Sequence, residues 1–129
     1  MSQAEKAADG PTVLAVGALV EHKGHGILSQ AAALLPNVDI GVAGEGSLRY
    51  PNLRYLGFRA DIAALHHNAA VFVHPSVEEG MGQAVVEAML SRTPVVTTDA
   101  GGLPEVVGKT AIVVPKGDAE ALALGIQQA

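Results

Sequence analysis

The sequence predicts an α/β fold with a mainly parallel, doubly wound sheet of six strands and helices on both faces. Short apolar runs rich in valine alternate with segments of helical spacing along the chain, as in folds where helices connect parallel strands. The runs are continuously apolar, which is typical of strands covered on both faces. We therefore expect a Rossmann-like domain with the strand order 3-2-1-4-5-6, whose ligands bind beyond the carboxyl ends of the strands.

The strands are predicted from apolar runs that end in glycine, proline or polar residues. The first of them, Thr12–Val16, is followed directly by Gly17, and its length and composition favour a buried strand. The other five strands are predicted at Val38–Ala43, Leu53–Leu56, Val71–His74, Pro94–Thr98 and Ala111–Val114.

The helices are predicted between these strands. In the first, Gly24–Leu35, apolar side chains recur at helical spacing. An aspartate precedes two others, Asp61 before a short helix to His67 and Asp118 before the last helix, and aspartate is a favourable N-cap. The remaining helices are expected after the glycine-rich turn that follows strand four, and over Leu103–Val107.

The link between strands two and three is short for a parallel pair. Only Glu45–Pro51 is available after the glycine turn, whereas a parallel crossover usually needs a dozen or more residues. We expect either an extended strap or a short and displaced third strand.

Length and charge restrict the possible partners. A chain of 129 residues is expected to form one domain, and we assign residues 1–11 as a disordered lead or linker remnant and residues 12–129 as that domain. The formal net charge of −5 argues against a nucleic-acid partner, which favours a basic face. The absence of cysteine excludes disulfides and thiolate metal sites.

Hydropathy gives no sign of membrane contact. No apolar run reaches the ~20 residues that a membrane-spanning helix needs, and no signal-peptide pattern opens the chain. We expect a cytoplasmic protein.

The stretch Val73–Met89, VHPSVEEGMGQAVVEAM, carries the strongest functional pattern. Gly80 and Gly82 lie where a loop becomes a helix, and the first amides of a helix favour an anion, above all phosphate. Glu79 and Glu87 frame this turn with seven residues between them. We expect Glu87 to be mostly buried, with its carboxylate aimed back at the loop, because helical side chains lean toward the N-terminus. Since carboxylates bind hydroxyls, the stretch predicts a sugar phosphate site.

Several motifs occur here in a recognisable order: a Glu-x7-Glu pair inside PS-x-x-EG-x-G, then EAM, PVV and TDAGGLPEVV. With them the chain resembles the group 1 family of retaining glycosyltransferases, which have the GT-B fold. The resemblance runs from about Val13 to Gln127 and covers only the C-terminal, donor-binding half of such an enzyme. It implies a nucleotide-diphosphate sugar as the substrate, no cofactor, and a separate N-terminal acceptor-binding domain as the partner.

The resemblance also implies roles for individual residues. Glu79 would contact the donor sugar as the catalytic residue, Glu87 would bind the ribose hydroxyls, and Lys23 would bind the diphosphate. The other residues that it implies in substrate binding are Gly17, Gly44, Gly46, Gly80, Met81, Gly82 and Gln83. Without the motifs, Glu79 would be interpreted as a solvated loop residue. The alternatives are a surface helix residue for Glu87, a surface lysine for Lys23 and ordinary turns for the glycines.

Two departures from the family pattern lead to predictions. The family usually carries an arginine where this chain has Ala18, so the diphosphate site lacks one expected cation, and Arg49 is a candidate substitute. The family usually has glycine where this chain has Arg92, after the EAM helix. Because helix C-termini favour a left-handed residue there, we predict a positive φ at Arg92.

The five histidines do not predict a metal site. Neither His22 with His25 nor His66 with His67 has a convincing ligand spacing, and we expect His74 to be buried and hydrogen-bonded at the end of strand four. We assign no metal.

Three functional interpretations remain from the sequence. The first is a glycosyltransferase donor domain that is inactive without an acceptor domain. The second is a degenerate nucleotide-sugar-binding module without chemistry. The third is another Rossmann-like phosphate binder, which would show no preference for sugar nucleotides over free phosphate.

Overall fold

The computed structural model of the protein describes residues 10–20, 23–76, 83–99 and 111–129, with the backbone alone for residues 83–86. The strands are β1 Val13–Val16, β2 Ile40–Ala43, β3 Arg54–Gly57, β4 Val71–His74, β5 Val95–Thr98 and β6 Ile112–Val114. The helices within the described ranges are α1 His25–Ala33, α2 Ile62–Asn68, α3 Gln83–Leu90 and α4 Ala119–Gln128. The helix predicted at 103–107 lies outside these ranges.

The six strands form one sheet in the order β3-β2-β1-β4-β5-β6, and every neighbouring pair is parallel. Both the parallel sheet and its order confirm the sequence prediction. The chain turns from one half of the sheet to the other between β1 and β4. Ligands of such sheets bind near this reversal, beyond the carboxyl ends of the strands.

The core lies on both faces of the sheet, as predicted. On β1, Val13 and Ala15 face one side together with buried residues of α1 and α4, such as Leu28 and Leu122. Leu14 faces the opposite side, where its cluster includes residues of α2 and α3. This alternation follows from the two-residue period of a strand. Among the described residues, no helix has the length and apolar character needed to cross a membrane.

The link between β2 and β3 is an extended strap that contains no helix. Ser29 of α1 holds it by donating from Oγ to the carbonyl of Pro51, at 2.7 Å. The Tyr55 hydroxyl accepts from the Tyr50 amide at 2.6 Å. The strand after the strap pairs with β2 in parallel, with a shift in register after Val42. Of the two alternatives, the extended strap is therefore correct.

The two aspartates that precede helices behave differently. Asp118 caps α4 as predicted, because its Oδ1 accepts from the amide of Ala121 at 3.0 Å. Asp61 precedes α2 but makes no capping hydrogen bond, so that prediction is wrong. Arg59 donates to both of its oxygens, at 2.8 and 2.6 Å. A bidentate, charge-assisted pair is stronger than a bond to a neutral amide, and it takes the carboxylate away from the helix.

Arg92 has a φ of 59°, which confirms the predicted left-handed conformation. Its amide donates to the carbonyl of Met89, and the amide of Thr93 donates to the carbonyl of Ala88. These two bonds form a Schellman motif, which requires a left-handed residue at this place.

The residues before β1 pack onto the domain where they are described. Pro11 is buried, and a Cβ on Gly41 would come within 2.8 Å of its ring. The division at residue 11 stays a prediction.

Candidate functional site

The loops after β1 and β4 touch at the carboxyl edge of the sheet. Gly24, the residue before α1, has a φ of 76°. A Cβ at this position would overlap the carbonyl of Pro75, which follows β4. Because only glycine permits both this backbone conformation and this close approach, residue 24 fixes the β1–α1 loop against the start of the glycine-rich stretch.

The loops after β1 and β2 are packed in the same way. A Cβ on Gly44 would overlap the carbonyl of Gly17. The Gly17 amide donates to the backbone carbonyl of Ala43 at 3.0 Å, and the Leu19 amide donates to the backbone carbonyl of Glu45 at 2.8 Å. Three loops therefore meet at one edge of the sheet, those after β1, β2 and β4.

Lys23 lies within this convergence. Its side chain passes over Gly17, where an added Cβ would be 3.7 Å from the lysine Cδ. Gly46 also packs against the loop after β1, because a Cβ on Gly46 would be 2.6 Å from Leu19 Cβ. The structure thus brings together four residues that the sequence assigned to one site: Gly17, Lys23, Gly44 and Gly46.

His25 joins the two ends of the β1–α1 loop. Its ring is 2% exposed, and Nε2 lies 3.1 Å from the carbonyl oxygen of Ala18. Burial lowers the pKa of His25, the hydrogen bond to Ala18 opposes that shift, and the charge of Lys23 adds to it. The sequence placed His25 near the site without a role, because a contact between positions seven apart across a loop leaves no periodic signal.

Glu87 is exposed, so the prediction that it is mostly buried is wrong. On α3 the buried side chain is Ala88, and the 100° turn to the preceding residue carries Glu87 off the sheet. It lines a depression of about 200 Å³ between α2 and α3, together with Ile62, Ala63, His66, Leu90 and Ser91. Its described apolar neighbours do not bury it: Ala88 faces the core, and Leu90 is itself exposed.

His66 forms part of this depression and is itself 1% exposed. Neither ring nitrogen has a hydrogen-bond partner among the described residues, and the ring lies 4.9 Å from that of Phe72. Burial lowers the pKa of His66 to about 4, because an unpaired charge inside the protein is costly.

The remaining predicted site residues belong to the glycine-rich stretch. Glu79, Gly80, Met81 and Gly82 lie outside the described residues, and their roles stay predictions. Gln83 begins α3, so a helix starts directly after Gly82, as the pattern predicted. The direction of the Glu87 carboxylate relative to this loop is likewise outside the described part of the chain.

A buried polar network supports the entry to the stretch. His74 is buried, and its Nε2 lies 3.2 Å from the Oγ of Ser76, which confirms the expectation for this histidine. Thr98 of β5 donates to the Ser76 carbonyl at 2.7 Å. The sequence reasoning gave Ser76 and Thr98 no role; the only signal was the serine within the PS-x-x-EG-x-G motif.

Arg49, the candidate substitute for the missing cation, is engaged with the strap. Its Nη1 donates to the carbonyls of Gly46, at 2.7 Å, and Leu48, at 2.9 Å. Its guanidinium lies 4.7 Å from the centre of the Tyr55 ring. The arginine thus stabilises the turn that carries Gly46.

Chemically, the described part of the site is suited to an anionic group. It offers one lysine, closely packed loops with glycine backbones, and the start of α1, which follows Gly24 directly. No three His, Asp or Glu side chains of the described ranges come together as a metal site. A larger depression of about 420 Å³ lies at the opposite edge of the sheet, lined by Met89, Arg92, Thr93, Pro94 and Val95, and the convergent loops do not reach it.

Solved structures share this fold across nearly the whole chain. A glycosyltransferase from Rickettsia africae superposes with a TM-score of 0.86 at 24% identity, over 98% of this chain and 41% of that one. Anabaena Alr3699/HepE in complex with UDP superposes with a TM-score of 0.84 at 28% identity, over 98% of this chain and 42% of that one.

Sequence relatives point to the same class of enzyme. The lipopolysaccharide core biosynthesis glycosyltransferase LpsE of Rhizobium meliloti is 32% identical over 135 aligned residues, which cover 94% of this chain and 40% of the relative. O-antigen chain mannosyltransferase B of Escherichia coli is 40% identical over 78 residues, or 59% of this chain and 20% of the relative. The chain thus spans about 40% of the length of LpsE, a partial match. The profile described as glycosyl transferases group 1 matches residues 10–129, and the chain belongs to the group 1 glycosyltransferase family.

Proposed function

We propose that the chain is the donor-binding half of a retaining glycosyltransferase and that it holds a nucleotide-diphosphate sugar at the carboxyl edge of the sheet. The observation that carries this proposal is the contact between Gly24 and Pro75. It sets Lys23 beside the start of the glycine-rich stretch and joins the two loops at the carboxyl edge.

The roles of the residues follow from their chemistry. Lys23 supplies positive charge for the diphosphate, together with the amides at the start of α3. Glu87 lines the depression between α2 and α3, and its exposed carboxylate accepts from the ribose hydroxyls. Glu79 contacts the transferred sugar. A related structure, HepE, is in complex with UDP-glucose, which supports a sugar nucleotide as the ligand class.

The partner is an N-terminal acceptor-binding domain. The chain covers about 40% of the length of LpsE and of HepE, which leaves room in each relative for a second domain. Transfer requires an acceptor held in line with the donor and water excluded from between them. The isolated chain therefore binds donor and transfers nothing. The cytoplasmic location expected from the sequence stays a prediction.

Thermal shift with a panel of ligands tests the ligand class. UDP, GDP, ADP and their glucose or mannose conjugates are compared with inorganic phosphate at equal concentration. At least one nucleoside diphosphate should raise the melting temperature more than phosphate does, because a ligand that binds only the folded state stabilises it. A response to phosphate equal to that of every nucleotide would favour a general phosphate binder instead.

Two lysine variants test whether the thermal shift comes from binding at the proposed site. Lys23→Ala should abolish the shift, because it removes the one cation of the β1–α1 loop. Lys116→Ala is the matched control, since this exposed lysine follows β6 at the far edge of the sheet. An equal loss in both variants would mean that the nucleotide responds to overall charge and that the proposed site is wrong.

A further inference from the structure

We propose that His25 is a positioning residue of the donor site: it holds the β1–α1 loop closed through the carbonyl of Ala18 and thereby sets the place of Lys23. The inference rests on the proposed function, because it assigns a residue that acts at the same site without touching the ligand. Its structural part, a closed loop held by a histidine, can be tested without any ligand.

The contact joins the start of the loop to the first turn of α1. Nε2 of His25 lies 3.1 Å from the Ala18 oxygen, and the ring is 2% exposed. A carbonyl can only accept, so Nε2 carries the proton and donates. In the neutral ring Nδ1 is then unprotonated, and it has no hydrogen-bond partner among the described residues. The geometry thus selects one tautomer of a neutral histidine.

The hydrogen bond from His25 spans more of the loop than the other hydrogen bonds described there. The Val20 amide also donates to Ala18, at 2.9 Å, and the Lys23 amide donates to Val20, at 3.1 Å. These bonds form local turns, each within three residues of its partner. The bond from His25 spans seven residues and connects the loop start to a helix that Gly24 fixes against Pro75. Among the described residues, this side-chain bond connects the turns at the start of the loop to the first turn of the helix.

An ordered loop is important at this site because the loop contains one cationic residue, Lys23. Residues 17–24 read GALVEHKG, so Lys23 is the only lysine or arginine in the loop. A lysine loses considerable side-chain freedom when it is held against a ligand, and a loop that is already ordered reduces the remaining cost of binding. Since the His25 ring is buried below the loop, it acts through Ala18 rather than on the ligand itself.

Two substitutions separate the hydrogen bond from the volume of the ring. His25→Gln keeps an N–H donor at the distance of Nε2, whereas His25→Leu fills similar space without a donor. We expect His25→Leu to weaken UDP binding about tenfold and His25→Gln to stay within about threefold of the wild type, as measured by calorimetry. UDP binding by His25→Leu at wild-type affinity, or an equal loss in both variants, would overturn the inference.

A matched control accounts for stability. Thr93 is buried and donates to the carbonyl of His66 at 2.8 Å, at the amino edge of the sheet. Thr93→Val therefore removes a comparable side-chain bond to a carbonyl far from the loop, and its UDP affinity should equal that of the wild type. A similar loss of affinity in Thr93→Val would show that lost stability alone accounts for the effect, which would overturn the positioning role.

Nitrogen NMR of the wild-type imidazole tests the inference independently of folding in the variants and of any nucleotide. At pH 7 His25 should be neutral with its proton on Nε2, and the amides of Ala18, Leu19, Val20 and Lys23 should have well-dispersed shifts. A proton on Nδ1, a charged ring, or a loop with averaged shifts would overturn the inference. Failure of the proposed function has a different signature: the wild type binds no nucleoside diphosphate although the ring shows the expected tautomer.

Discussion

Gly24 lies so close to the carbonyl oxygen of Pro75 that a Cβ at residue 24 would overlap it. This contact joins the loops after β1 and β4, between which the strand order reverses. It is a tertiary contact between residues 51 positions apart (75 − 24), and the candidate site is built around it.

The first prediction tests this contact with a pair of glycines. Gly24 and Gly117 both have a φ of 76°, but a Cβ at Gly117 would meet nothing within 4 Å. Each alanine substitution should cost about 1–2 kcal/mol for the left-handed conformation. Gly24→Ala should cost at least about 2 kcal/mol more because of the clash, as measured by denaturant unfolding. Equal losses in the two variants would show that the Pro75 contact is not tight in solution.

The second prediction concerns the end of α3. Arg92 has a φ of 59° in the Schellman motif, and Arg92→Gly should raise the free energy of unfolding by about 1 kcal/mol because glycine is unstrained there. Asn52, with a φ of 69°, is the comparison. Asparagine tolerates this region better, so Asn52→Gly should gain less. A destabilised Arg92→Gly would mean that the arginine side chain contributes more than its backbone strain costs.

The third prediction is a pH dependence of stability. The pKa of His66 is lowered from 6.5 to about 4 by burial, so below pH 6.5 the unfolded chain binds the proton more tightly than the folded one. Stability should therefore fall as the pH decreases from about 6.5 to about 4, by roughly 3 kcal/mol at most, and His25 should add to the fall in the same direction.

Substitution separates the contribution of His66 from that of other groups. His66→Leu should flatten this part of the pH profile in urea unfolding, although it also removes the ring contact with Phe72. His67→Gln, an exposed substitution on the same helix, serves as the control and should retain the wild-type fall. An unchanged profile in His66→Leu would locate the proton uptake elsewhere.

The fourth prediction restores the cation that the family usually carries. Ala18 is exposed and its carbonyl, not its side chain, makes the loop contacts, so Ala18→Arg should fold normally. Its planar guanidinium can engage two phosphate oxygens, and UDP binding should tighten about tenfold. Val20→Arg places the same charge at another exposed position of the loop and should change affinity much less. Equal gains in both would indicate general attraction of the nucleotide rather than a specific phosphate contact.

The sheet could be predicted because its signals are local. Continuous apolar runs and their alternation with helical stripes indicate a parallel sheet. For the link between β2 and β3, the sequence left two alternatives open, an extended strap or a displaced strand. The capping by Asp118 and the left-handed Arg92 were also predictable, since each depends on a few neighbouring residues.

The predictions that failed depend on neighbours that the local pattern does not identify. Asp61 is taken from its helix by Arg59, and the exposure of Glu87 follows from the rotation of α3 against the sheet. The bond from His25 to Ala18 arises only when the loop closes. Of the site, the sequence could therefore predict the residues after β1 and β2, but not the contacts that hold them together.

The most direct test of the donor site is to map UDP binding on the nitrogen-15-labelled chain by amide chemical shifts. Saturable shifts should be concentrated in residues 17–24, 44–46 and 75–83 and at Glu87, and they should be lost in Lys23→Ala. Shifts concentrated instead around the depression formed by Met89, Arg92 and Val95, at the opposite edge of the sheet, or unchanged by Lys23→Ala, would contradict it.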